Sequence, residues 1–479
     1  MVALITRARL FGNPVAHIDD QFYLLVGQSM LGGQWPYVDI WDRKPIGLFL
    51  IYAAIAALPG NNVLNVQLTA SAFAIATAFV IVQIGQRLAK GKGPLLGGIA
   101  YLVILPSLAG GSGQSPVFYN LLMSLAGLLT LRSVQEQQRD GSSKGLLLIM
   151  GLVGLALLVK PVAVFEGCGF GIALLYVRWR ETGSILSSSR LAPQMVAVAV
   201  LPTLATFAAY AYAHHLEDIW AATVVSVFAK DPLPRASMLA NLRSMSICLN
   251  LALGFAVAGY LLILRSDRTT AFFMGCWLVF ALIGLAAVPN FFDHYALPLL
   301  VPAAALLSPL FSIRIYGWAL FAIVTAYSTL WTPRFWSYDG FARREQFDRV
   351  VQTVRTNLKG GCLYVYEGPA QLYTSTGACR VTSYVFPDHL NSVIEETALP
   401  INQQSELLRA LRKRPTVVID ARRVYLEENP KSRAILEREL SCAYRFVTTE
   451  YSGATFAQPL KIWALRGVTP ASKACGSHT

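Results

Sequence analysis

The sequence predicts a polytopic α-helical membrane protein followed by a C-terminal extracytoplasmic α/β domain. Three observations predict it. Hydrophobic residues make up 54% of the 479 positions and charged residues only 14%, where a soluble domain carries about a quarter charged residues. Apolar runs of membrane length recur as far as Trp331. Beyond it the pattern changes to short apolar strands alternating with helices. The expected division is therefore a multi-pass domain over 1–331 and an aqueous domain over 332–479.

The expected spans are 63–86, 94–108, 117–131, 145–159, 162–177, 193–213, 246–264, 271–288, 296–310 and 315–331. Basic residues fall in alternate connections: Arg87, Lys90 and Lys92; Arg132, Arg139 and Lys144; Arg178, Arg180 and Arg190; Arg265 and Arg268; and Arg314. By the positive-inside rule these connections are cytoplasmic. The stretch Asp19–Asp42, the loops 110–116, 214–243 and 290–295, and everything after Trp331 then face outward. The same distribution argues against nucleic acid as the reason for the net charge of +13. The stretch before Asp19 is too short and too polar to span, with Arg7, Arg9 and Asn13 in it. Either the N-terminus is translocated or the start lies upstream and one helix is missing; the second is the expectation. No cleavable signal peptide is visible.

In the C-terminal part the expected elements are an amphipathic helix 341–358, strand 363–366, a short helix near Gln371 and strand 381–386. Helix 403–413, strand 416–420, helix 431–440 and strands 444–449 and 460–465 follow. Such alternation implies a small, mostly parallel sheet. No glycine-rich fingerprint follows its first strand, since Glu367-Gly368-Pro369 is a turn, so no dinucleotide is expected. Cys168, Cys248 and Cys276 read as small core residues. Cys362, Cys379, Cys442 and Cys475 face an oxidising compartment. Cys362 and Cys379 each precede a strand, so neighbouring strands would bring them together; Cys442–Cys475 is the second candidate pair. No zinc-type spacing occurs.

The chemistry-bearing residues cluster before the first long apolar run. Asp19 and Asp20 are read either as caps of a helix over 21–31 or as a carboxylate pair, one member of which serves as general base. Arg43 and Lys44 lie outside the membrane, against the positive-inside trend, and Pro45 opens an apolar helix; cations at such a junction suit a phosphate. Lys160, before Pro161, is either a snorkelling side chain paired with Glu166 or a second phosphate contact. Asp293, His294 and Tyr295 offer donors and acceptors for a sugar. His214, His215, Glu217, Asp218 and Trp220 occupy the larger outward loop, where Trp is expected in an aromatic belt.

The runs Asp19-Asp20-x-x-Tyr23, Gly32-Gly33-x-x-Pro36-Tyr37-x-Asp39 and Lys44-Pro45 resemble the first outer loop of GT-C glycosyltransferases. Within that class the chain looks most like the bacterial protein-mannosyltransferase-like and aminoarabinose-transferase-like families, over most of 15–331. The resemblance implies a catalytic first outer loop over 15–62, a sugar donor linked to polyprenyl phosphate, and a lipid, glycan or protein acceptor outside the cytoplasm of a bacterial inner membrane. It places Asp19 as the catalytic acid/base, Asp20 where the family carries Glu, and Lys44 as the contact to the donor phosphate; Arg43 and Lys160 join Lys44 on the reading of their own positions. Tyr23, Tyr37, Gln114, Asp293, His294 and Tyr295 are the expected substrate contacts. One departure is the second outer loop, 110–120, which has no acid; Gln114 or Asn120 stands there instead. No cofactor is implied with certainty, and a divalent metal held elsewhere stays open. The rival readings are a transporter or lipid flippase and a non-catalytic envelope-assembly protein. Against a transporter, the acids cluster at one face and not at mid-bilayer.

Overall fold

The computed structural model describes residues 1–136, 144–330, 340–422, 426–452 and 459–467. Arg139, the boundary between 331 and 332, and Cys475 lie outside the described residues. Helices Asn62–Leu88, Ser115–Gln135, Ser188–Tyr212, Arg235–Ser266 and Arg268–Ala286 are long and apolar enough to cross a membrane. Ile46–Ala56, Gly145–Leu157 and Tyr316–Leu330 are shorter apolar helices. The expected span 296–310 is instead two pieces, Leu297–Leu306 and Ser308–Phe311. Every residue of Leu297–Leu306 is buried, so protein and not lipid surrounds it.

Two close backbone approaches set the geometry of the first outer loop. Helix Ile18–Leu31 crosses Ile46–Ala56 at Gly27, where a Cβ would lie 2.6 Å from the Tyr52 carbonyl carbon. Gly47 presses on the turn after helix Lys144–Leu157, donating its amide to Leu158 O at 2.8 Å. A Cβ on Gly47 would come within 2.6 Å of that oxygen.

The C-terminal part carries a five-stranded sheet of order β2-β1-β3-β5-β4, with β1 Cys362–Val365, β2 Cys379–Arg380, β3 Val417–Asp420, β4 Tyr444–Tyr451 and β5 Pro459–Leu465. Helices Gly340–Leu358, Gln371–Thr376, Gln403–Arg412 and Pro430–Ala443 accompany it. β1 runs parallel to β2 and β3, but β5 is antiparallel to both β3 and β4. The sheet is thus mixed, where a mostly parallel one was expected. The connection from Tyr451 to Pro459 is shorter than the dozen or so residues of a parallel crossover, so β4 and β5 must reverse direction. The expected strand 381–386 also does not form. The chain leaves the sheet after Arg380, and Ser383 O accepts the Trp41 amide at 3.0 Å. Cys362 and Cys379 are register partners on parallel strands and are joined by a disulfide. Of the three cysteines read as core residues, only Cys248 is buried; Cys168 is exposed and Cys276 intermediate.

The sheet-bearing part is fastened onto the first outer loop. Phe22 meets Phe386 edge-on with centroids 5.2 Å apart, and Trp41 meets His389 at 4.7 Å. Arg380 donates to Ser29 Oγ at 2.8 Å and also to Gln34.

Candidate active site

Between the helices and the sheet-bearing part lies a cavity of about 1010 Å³. Asp19, Tyr23, Arg43, Lys44, Gln114, Lys160, Asp293, His294 and Tyr295 all line it. Asp20 and Tyr37 do not. Asp20 borders a separate small void, and Tyr37 donates its hydroxyl to Lys44 O at 2.8 Å, supporting the loop from beneath.

Neither acid caps its helix through the side chain. Helix Ile18–Leu31 starts one residue before Asp19 with His17 at its N-cap, and the carboxylates reach the second outer loop instead. Asp19 Oδ2 accepts from Gln114 Nε2 at 3.0 Å, and Asp20 Oδ2 accepts from the Gly113 amide at 3.0 Å. Burial pushes the Asp20 carboxyl above the usual carboxylate range; repulsion from Asp19 is the smallest contributor. The second loop is itself held by buried Arg7, which donates to Gly110 O at 3.3 Å and Gly111 O at 3.1 Å. Asn120, the other candidate for the missing acid, is fully buried and donates to Leu297 O at 2.9 Å.

Arg9, Arg43, Lys44, Lys160 and Lys230 line the cavity, and the last four divide into two sets. Lys44 and Lys160 have no ion pair among the described residues, and the Lys160 ammonium sits 4.2 Å from the centroid of the Tyr295 ring. Glu166 does not pair with Lys160; it accepts from Trp277 Nε1 at 2.8 Å. Desolvation and neighbouring Lys44 lower Lys160 to about 7, with Asp19 opposing. The contact of Gly47 with Leu158 brings these two lysines to one wall.

Arg43 is engaged differently. Its guanidinium donates to both carboxylate oxygens of Glu395, at 3.1 and 2.5 Å, and from Nε to Ser226 Oγ at 3.2 Å. Lys230 Nζ reaches Glu395 Oε1 at 2.5 Å. Burial alone would raise Glu395, but Arg43 and Lys230 hold it well below the usual carboxylate range. Beside it His389, also lining the cavity, is lowered by burial to about 3 and stays neutral. Sequence reading does not single out Glu395, Lys230 or His389, because each lies in an ordinary polar stretch. His215 pairs with Asp218 at 3.0 Å, and neither lines the cavity. Among the described residues no group of three or more His, Cys, Asp or Glu is arranged to hold a metal ion.

The fold is similar to that of solved transferases. ArnT from Cupriavidus metallidurans bound to undecaprenyl phosphate matches with a TM-score of 0.68 at 13% identity, covering 96% of each chain. Its apo state matches with a TM-score of 0.63 at the same identity and coverage. The Archaeoglobus fulgidus oligosaccharyltransferase in its apo form matches with a TM-score of 0.51 at 10% identity, covering 88% of this chain and 68% of the other. No family model matches the sequence, and no curated protein matches it. The architecture is that of the GT-C fold, a helical membrane body with a small sheet in the C-terminal region.

Proposed function

We propose that this chain is an integral-membrane glycosyltransferase that moves a sugar from a polyprenyl-phosphate-linked donor to a hydroxyl of a lipid, glycan or protein. The observation that carries this reading is one cavity holding a half-buried carboxylate, Asp19, beside two lysines, Lys44 and Lys160, that form no ion pair with a carboxylate among the described residues. Half-buried cations with no carboxylate in ion-pair contact suit an incoming anion. The rim supports a lipid donor, because Ile18, Val164 and Phe228 line the cavity yet are 42%, 43% and 86% exposed. The likeness in fold to an undecaprenyl-phosphate-bound transferase agrees with that choice. The reaction is assigned to the outer face of a bacterial inner membrane, with the sheet-bearing part extracytoplasmic.

Asp19 takes the proton of the acceptor hydroxyl as the acceptor oxygen bonds to the anomeric carbon. The bond from that carbon to the phosphate oxygen breaks, and its electron pair leaves with polyprenyl phosphate. Lys44 and Lys160 stabilise the charge that grows there. Asp20 fixes the second loop through Gly113, while Tyr23, Asp293, His294 and Tyr295 line the space left for sugar and acceptor. Purified protein supplied with labelled sugars on polyprenyl phosphate is expected to transfer them, and Asp19→Asn to abolish transfer while retaining the donor. Undiminished turnover in that variant would remove Asp19 from the mechanism.

A further inference from the structure

We infer that Glu395 is a positioning residue supplied by the sheet-bearing part: it withholds Arg43 and Lys230 from the donor phosphate, so that Lys44 and Lys160 alone meet it and the product phosphate can leave. The inference rests on the proposed reading of the cavity as a phosphate-sugar site. Arg43 is the chain neighbour of Lys44 and lines the same cavity, as do Lys230 and Glu395. The Glu395 side chain has no exposure, whereas Arg43 and Lys230 retain 16% and 24%. Three contacts fix the guanidinium: two to Glu395 and one to Ser226, with the Trp41 ring 5.2 Å away. Asp42, the other acid beside it in sequence, is occupied by the Lys44 amide at 2.6 Å. A planar guanidinium grips phosphate in two places, where an ammonium offers a point charge. Without Glu395, Arg43 and a third ammonium would turn to the phosphate. Binding would tighten in the ground state and in the product complex alike, which slows release without helping transfer.

The test uses the full-length protein in detergent, with undecaprenyl phosphate as the probe and donor kinetics alongside. Glu395→Gln is expected to tighten undecaprenyl phosphate about tenfold and to lower both kcat and donor KM. Glu395→Asp is expected to restore most of kcat. If Glu395→Gln does not fold, the triple variant Arg43→Gln, Lys230→Gln and Glu395→Gln, which releases no cation, carries the test, and it should bind the probe within about twofold of wild type. Unchanged or weaker binding in Glu395→Gln, or a tenfold change in either direction in the triple variant, overturns the inference. Lys44→Ala separates the two levels. If it leaves probe affinity unchanged, the reading of the cavity fails and the inference with it. If it weakens the probe while Glu395→Gln does nothing, only the inference fails.

Discussion

Gln114 Nε2 donates to Asp19 Oδ2 at 3.0 Å, joining the two outer loops at the carboxylate that faces the cavity. A neutral amide of the second outer loop therefore orients this carboxylate. Gln114→Ala removes one hydrogen bond to a charged group, worth about 1.5 kcal/mol, and is expected to lower kcat about tenfold. Donor KM should hardly change, because the lysines are untouched. Gln114→Glu places a like charge on Asp19 and should be worse than Ala. Separate measurement of kcat and KM decides; a change in KM alone would make Gln114 a substrate contact.

Gly47 is the pivot of the lysine pair. Adding a Cβ puts it 2.6 Å from Leu158 O, so the turn carrying Lys160 must move or the helix start must. Overpacking of this kind costs about 1–3 kcal/mol. Gly47→Ala is expected to lower the melting temperature and to weaken undecaprenyl phosphate binding together. A melting temperature that falls with unaltered binding would show that Lys160 does not need this contact.

What sequence reveals of this site follows how local each part is. Asp19 and Lys44 stand out because charge beside an apolar run is expensive, and both lie within one short loop. Glu395 does not, because its meaning comes from Arg43, 352 residues away, and a glutamate in a polar stretch looks solvated until the chain folds back. The helix Leu297–Leu306 shows the same limit in the fold. Continuous apolarity marks burial but does not distinguish lipid from protein as the surroundings. Strand direction failed for a third reason: alternation of strands with helices suggested crossovers, but the last connection is too short for one.

The disulfide predicts where reduction acts. Cys362 and Cys379 are 17 residues apart, and a loop of that length gives about 3 kcal/mol when closed. β2 has only two residues, yet its Arg380 and the following Ser383 and Phe386 are contacts to the first outer loop. Replacing both cysteines by serine should expose 377–386 to limited proteolysis and reduce turnover, while the helices remain resistant. Cleavage confined to other segments would show that β2 is held without the bridge.

Lys160 makes donor binding depend on pH in a defined direction. In the free protein its ammonium is held at about 7 by desolvation and by Lys44, with Asp19 pulling the other way. Phosphate pairs only with the protonated form and raises its pKa, so binding above about 7 must take up a proton. Affinity is therefore expected to be level below about pH 7 and to fall as pH rises beyond it, by up to about tenfold per unit, until the pKa of the bound state is passed. Lys160→Arg should flatten this slope, because guanidinium stays charged throughout. Titration calorimetry without acceptor, in buffers of different ionisation enthalpy, reads both the slope and the proton. A slope that survives in Lys160→Arg would assign the titration to another group and leave Lys44 as the sole cation on the phosphate.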